Sequence, residues 1–180
     1  GASKGNPVFV LRMQDFLFLC NLFQRSVSGL LKQNYHTHTW RCRHAQGAER
    51  EYIEQAIAAG IRVLGFSDHA PYSFPDGHDS GFRMLPNQTA GYFETLSALR
   101  DEYADRIEIH IGFEAEYYPG CWEAFLQHIH QFPCEYLILG QHMLENEETQ
   151  EYSSAPTEKE DILHRYVDQV IAGMETGAFS

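Results

Sequence analysis

With 180 residues, 43% of them apolar and 13% aromatic, the chain has room for one domain with its own core and is neither a disordered tail nor a small disulfide scaffold. Lys+Arg 13 against Asp+Glu 25 gives a net charge of −12, which argues against a nucleic-acid backbone or an anionic membrane as partner. Any anionic ligand would need a local source of positive charge, and 10 histidines point to metal ions.

Residues 1–33 read as an extension of their own. Phe9, Leu11, Phe16, Leu17, Leu19, Leu22 and Phe23 crowd it, one helix is expected over Gln14–Leu31, and no chemistry is expected there. The longest apolar stretch, Val8–Phe23, is broken by Arg12 and Asp15 and falls short of the roughly 20 residues a membrane span needs. It also lacks a basic leader and a small-residue cleavage site, so no signal peptide is expected. Cys20, Cys42, Cys121 and Cys134 form no C-x-x-C pair, which suits reduced thiols in a cytoplasmic protein.

From residue 34 a strand–loop–helix pattern repeats. A strand is expected over Gln33–Thr37, then a helix over Ala48–Ala59 closed by Gly60. The run Val63–Phe66 reads as a buried strand and Gln88–Ala104 as a helix with Tyr92, Phe93, Leu96 and Leu99 on one face. Ile107–Phe113 reads as a strand, Trp122–Phe132 as a helix and Tyr136–Leu139 as another buried strand. Thr157 is expected to cap a last helix ending near Gly173, apolar at Ile162, Tyr166, Val167, Val170, Ile171 and Met174. Strands alternating with helices imply an α/β fold with a mainly parallel sheet, open or closed into a barrel.

The chemistry-bearing residues fall where such a sheet gathers them. His36 and His38, two apart on a strand, point the same way and can grip one ion. His69 lies just past the second strand, Glu114 at the end of the third and His142 just past the fourth. In parallel α/β folds the C-terminal strand ends share one rim, where active sites are assembled. A polynuclear metal site is therefore expected, and imidazole with carboxylate suits Zn, Mn or Fe better than Mg or Ca. Glu114 has two oxygens with which to bridge two ions, and Glu116 is its rival for that role. Asp68 either orients a ligand imidazole or caps a helix. His110, on the parity of Glu114, either lines the interior below the site or is a satisfied core histidine; His78 is exposed or a ligand contact, and His128, His130 and His164 are expected on the surface.

His36-Thr37-His38-Thr39 with Cys42 and His44, then Gly65-Phe66-Ser67-Asp68-His69-Ala70-Pro71, Gly112-Phe113-Glu114-Ala115-Glu116-Tyr117 and Leu139-Gly140-Gln141-His142, resemble in order the PHP (polymerase and histidinol phosphatase) family, closest to its monofunctional histidinol-phosphatases. The resemblance covers 34–180. It implies a distorted (β/α)7 barrel, incomplete in this chain, with up to three divalent ions at its rim. His36 and His38 would hold one ion with Glu114, Glu114 would bridge to a second held by His142, and His44 and His69 would share a third. The family's further ligands from later strands are not found, so each ion is expected to lack at least one ligand.

The implied activity is hydrolysis of L-histidinol phosphate, a small-molecule phosphomonoester, in histidine biosynthesis. Ions at the rim would invert the local field and lower the pKa of a bound water. Asp68 and Arg83 are the candidate catalytic residues, Arg83 as planar phosphate clamp with Arg41 and Arg43 as alternatives. Asp76 and Asp79 are candidates for the substrate amine. The competing readings are another PHP-type phosphoesterase and an inactive metal-binding remnant. An amidohydrolase with a bridging carboxylated lysine is excluded, because Lys4, Lys32 and Lys159 all lie away from strand ends.

Overall fold

The structure is a computed structural model that describes residues 32–148, 152–153 and 159–180. The expected helix over Gln14–Leu31 and the cap at Thr157 lie outside the described residues. Four strands, β1 (Gln33–Asn34), β2 (Val63–His69), β3 (Glu108–Ala115) and β4 (Leu137–Leu139), form one parallel sheet in the order of the chain. The helices are α1 (Glu49–Ala58), α2 (Thr89–Glu102), α3 (Trp122–Ile129) and α4 (Glu160–Glu175).

The period of two along a strand divides the sheet into two faces. Leu64, Phe66, Ile109, Ile111 and Phe113 face the helices and are buried there. Tyr92 of α2 stacks on Phe113 with ring centroids 5.3 Å apart. The other face carries Gly65, Ser67 and His69 on β2 and His110, Gly112 and Glu114 on β3. Two of those positions are glycine because Tyr136 lies across them. A Cβ on Gly112 would stand 2.7 Å from its ring, and one on Gly65 would meet its hydroxyl. That hydroxyl donates to the carbonyls of Tyr35 (2.8 Å) and Phe66 (3.0 Å), so a side chain from the β4 side reaches the segment after β1 and curls the sheet.

Register then sets the rim. Val63 pairs with Glu108 and His69 with Glu114, so β2 and β3 finish side by side, and Glu114 in turn pairs with Ile138 of β4. β1 is shorter than expected, and its own first residues explain why. The Asn34 side chain accepts from the His36 N–H at 3.0 Å and donates to the Thr37 hydroxyl at 3.2 Å, a local turn that takes the backbone out of the ladder. His36 and His38 therefore sit on a loop, tied back between them by the bond from the Ser67 N–H to the Thr37 carbonyl (2.8 Å).

Helix boundaries follow the local signals, with one instructive exception. Gly60 holds φ +79, the left-handed conformation that ends α1. Gly173, expected near the end of the last helix, lies inside α4. A Cβ there would be 2.9 Å from Tyr117 Cβ, so this glycine serves close packing rather than termination. Ile162, Tyr166 and Val170 are half-buried, whereas Val167, Ile171 and Met174 face outward.

His110 is neither a metal neighbour nor a core residue. Its Nδ1 lies 2.6 Å from Glu135 and its Nε2 2.9 Å from Glu108. Burial opposes the imidazolium, but the hydrogen bonds to Glu135 and Glu108 outweigh it and raise the pKa above the usual histidine value. A raised folded pKa adds stability that is complete below the unfolded value of about 6.5 and is lost as pH rises through the folded one. The stability gap between wild type and His110→Gln is thus expected to be larger at pH 6 than at pH 9, as read by urea unfolding at each pH.

Candidate metal centre

The rim gathers four imidazoles around one carboxylate. Glu114, at the end of β3, is 2% exposed. Its Oε2 lies 3.1 Å from His36 Nε2, 3.2 Å from His38 Nε2 and 3.2 Å from His69 Nδ1. Its Oε1 lies 3.0 Å from His142 Nε2. His36 and His38 turn their Nε2 atoms toward each other at 3.1 Å, close enough for both to ligate one shared cation. His38, His44 and His69 form a second group in which one donor atom from each lies within 4.8 Å of the others. The His69 Nδ1 is buried without a hydrogen-bond partner. An orphaned imidazole nitrogen facing a carboxylate, within a set of N and O donors, fits a divalent transition metal and in particular zinc.

The protonation states of His69, His44 and Glu114 suit the same purpose. Burial drives the His69 pKa well below the usual histidine value, and burial followed by the nearby His38 lowers that of His44, so both rings keep a free lone pair at neutral pH. Burial disfavours the Glu114 carboxylate, yet the contacts from His142, His36 and His38 outweigh burial and hold it far below the carboxylate range. His142 is shifted the other way, because its bond to Glu114 outweighs burial.

Cys42 orients this set. Its sulfur lies 3.3 Å from His38 Nδ1 and accepts from the His69 N–H at 3.1 Å, while its carbonyl lies 2.9 Å from His44 Nδ1. With Nδ1 of His38 and His44 both directed at Cys42, the Nε2 atoms are left for the centre. Burial pushes the thiol pKa well up, so the group stays neutral. Cys42→Ala is expected to weaken zinc binding about tenfold, as the loss of such an orienting partner does elsewhere, with Cys42→Ser less affected. Competition titration against a chromophoric chelator measures both.

Asp68 is fully buried and accepts from the Thr39 N–H and from the Thr39 hydroxyl. Thr39 also caps the short 3-10 turn Trp40–Cys42. Asp68 thus fixes the backbone of the loop bearing His36 and His38 rather than an imidazole directly, and burial raises its pKa against the opposing Thr39 bonds.

The arginines expected to clamp phosphate stand differently. Arg83 is 1% exposed, with Nη2 2.8 Å from Glu116 and Nε 2.8 Å from Glu147, and it lies over the rings of Phe82, Tyr72 and Tyr118. No face of the guanidinium is open to a ligand. The same pair removes Glu116 from the centre: it is buried against Arg83, whereas Glu114 lies within 3.0 to 3.2 Å of four histidines. Arg41 is buried and paired with Glu49, reaching Thr95 at 3.2 Å. Arg43, at φ 61, bonds the Ser80 carbonyl (2.6 Å) and the exposed Asp79 (3.0 Å) and keeps part of its side chain in solvent. His78 lies 3.8 Å from Glu147 rather than at the imidazole cluster, and His128 pairs with the Thr89 hydroxyl at 2.9 Å.

Gly140 and Glu147 were not singled out from the sequence. A Cβ on Gly140 would fall 2.6 Å from Glu114 Cγ and 2.7 Å from Cδ, so the glycine makes room for the carboxylate. Its place just before Gln141-His142 was the available signal. Glu147 lies 64 residues from its partner Arg83, and no local pattern announces the pair.

Fold and centre together define a parallel α/β protein whose strand ends present a shared imidazole–carboxylate site. Residues 34–179 match the PHP domain, and the chain belongs to that family. A protein of Deinococcus radiodurans named "Probable histidinol-phosphatase" is 35% identical over 109 residues, covering 61% of this chain and 41% of the relative. The histidinol-phosphatase of Lactococcus lactis subsp. lactis is 30% identical over 115 residues, covering 62% of this chain and 39% of the relative. The crystal structure of the histidinol phosphate phosphatase of Lactococcus lactis subsp. lactis, solved with zinc, L-histidinol and phosphate, is similar at 27% identity and a TM-score of 0.52, covering 61% of this chain and 40% of that one. The chain thus spans about two fifths of the length of these relatives. The fold is the expected incomplete PHP-type barrel, with four parallel strands among the described residues. No helix among them is long and apolar enough to cross a membrane.

Proposed function

We propose that the chain carries the metal centre of a histidinol-phosphatase, a hydrolase that converts L-histidinol phosphate to L-histidinol and phosphate in histidine biosynthesis in the cytoplasm. The observation that carries this reading is Glu114, ringed at 3.0 to 3.2 Å by His36, His38, His69 and His142. His36, His38 and Glu114 would hold one cation, Glu114, His69 and His142 another, and His38, His44 and His69 offer a third grouping. Zinc suits the donors, with manganese or iron as alternatives and up to three ions. Bound there, divalent cations supply Lewis acidity to a phosphoryl group and make a water nucleophile available near neutral pH.

The chain's own residues keep the site ready for them. Glu114 stays ionised, burial keeps His69 and His44 neutral, and Cys42 aims His38 and His44. Asp68 holds the loop through Thr39. Among the three candidate arginines, Arg43 is the least committed: its pair with the 64% exposed Asp79 contributes only about 0–1 kcal/mol, and its other bond is to the Ser80 carbonyl.

The test is phosphate release from L-histidinol phosphate by the full chain loaded with zinc or manganese, alongside calorimetric binding of the same compound. Metal-dependent binding with release faster than from p-nitrophenyl phosphate supports the reading. Absence of metal-dependent binding overturns it, and equal turnover of both esters would favour a less selective phosphoesterase.

A further inference from the structure

We propose that Tyr152 is a specificity-determining residue, whose ring receives the planar aromatic part of a phosphomonoester while the phosphate occupies the Glu114 centre. The proposal rests on the functional reading above and names the part of the ligand that reading leaves unassigned.

Tyr152 is placed by the segment that bears His142. It forms an antiparallel bridge with Met143, and the next residue, Ser153, donates its N–H to the His142 carbonyl (2.8 Å) and its hydroxyl to the Gln141 carbonyl (3.1 Å). Gln141 is itself locked: its Oε1 accepts from the Tyr117 N–H at 2.8 Å and its Nε2 donates to the Met143 carbonyl at 2.7 Å. The backbone of Tyr152 and Ser153 is therefore tied to the segment that delivers His142. Its ring lies 6.4 Å from the His142 imidazole with the planes inclined by 26°.

A second aromatic residue borders the centre on its other flank. Phe82 stands edge-on to His69 at 4.9 Å, but the Arg83 guanidinium covers it at 4.6 Å. Tyr152 differs in keeping 43% of its surface exposed. An exposed aromatic ring whose backbone is anchored beside a polar centre offers a planar ligand both apolar contact and ring–ring attraction. A ligand with phosphate at one end and an imidazole or similar ring at the other matches that juxtaposition.

Calorimetry on the zinc-loaded full chain separates the possibilities, with L-histidinol as a ring-bearing probe and inorganic phosphate as a probe without one. Tyr152→Ala is expected to weaken L-histidinol binding about five- to tenfold and leave phosphate binding within about twofold, with Tyr152→Phe close to wild type. Unchanged L-histidinol affinity in Tyr152→Ala, with phosphate still bound, overturns the role of Tyr152 while the functional reading stands. Parallel loss of both probes also overturns it, because the change then disturbs the whole site. If neither probe binds wild type in a zinc-dependent manner, the functional reading and the proposal fall together.

Discussion

Glu114→Gln is expected to lower zinc affinity by at least about a hundredfold, more than the 10–100-fold typical of losing an orienting partner, because it removes a donor and a charge at once. The amide is nearly isosteric, so the fold should survive and the effect should be read in binding. Four imidazoles converge on this one carboxylate, and the neighbouring acids are engaged elsewhere: Glu116 pairs with Arg83 and Asp68 accepts from Thr39. Gly140→Ala is the companion variant. It leaves every charge in place but puts a methyl group where Glu114 Cγ and Cδ lie, 2.6 and 2.7 Å away. The carboxylate must shift, and a loss of zinc affinity smaller than that of Glu114→Gln is expected, with about 1–3 kcal/mol of destabilisation from overpacking. Isothermal titration of both variants, with denaturant unfolding as control, measures the two effects. Gly140→Ala binding zinc as wild type does would show that Glu114 is not held where it is described.

Arg83→Met is expected to destabilise the chain by about 3–5 kcal/mol, the usual result of leaving buried carboxylates without their partner. Arg83 is 1% exposed, Glu116 0% and Glu147 2%, so no solvent can replace the guanidinium. Burial opposes the guanidinium charge, but Glu116 outweighs it and keeps Arg83 ionised, while burial pushes Glu116 up against the opposing Arg83. The network also joins three rim segments: the one after β2 through Arg83 and Ser80, the end of β3 through Glu116, and the one after β4 through Glu147. Lysine lacks the planar fork needed for two carboxylates, so Arg83→Lys should recover only part of the loss, whereas Arg83→Met with Glu116→Gln and Glu147→Gln should recover more. Urea unfolding reads these differences. A phosphate-clamping arginine would give the opposite pattern, weakened phosphate binding with unchanged stability.

The central residues of the site were legible because fold and chemistry share a period. His69, Glu114 and His142 each follow an apolar run, and a run of that kind in a strand–helix repeat ends at the common rim. His36 and His38 were expected on a strand through Thr37, but Asn34 turns the chain out of the ladder and both sit on the loop that follows β1. Burial of long polar side chains was not legible. Arg83 in a loop reads as an exposed cation until its distant partner Glu147 is brought to it, and Glu116 reads as a rival ligand until its side chain is seen to turn away from the centre. The glycines behave likewise: Gly65, Gly112 and Gly140 are explained by Tyr136, just before β4, and by Glu114 of β3, which lie against them from elsewhere in the chain. For Gly65 and Gly112 such contacts leave no local pattern, whereas Gly140 is marked by its place just before Gln141-His142.

Diffraction at the zinc edge from crystals of the zinc-loaded chain tests the metal centre most directly. An anomalous peak about 2.0–2.2 Å from a Glu114 oxygen and from nitrogens of His36 and His38, with a second shared by Glu114 and His142, is the expected result. Ordered zinc bound elsewhere, with these imidazoles contacting only protein and water, would contradict it.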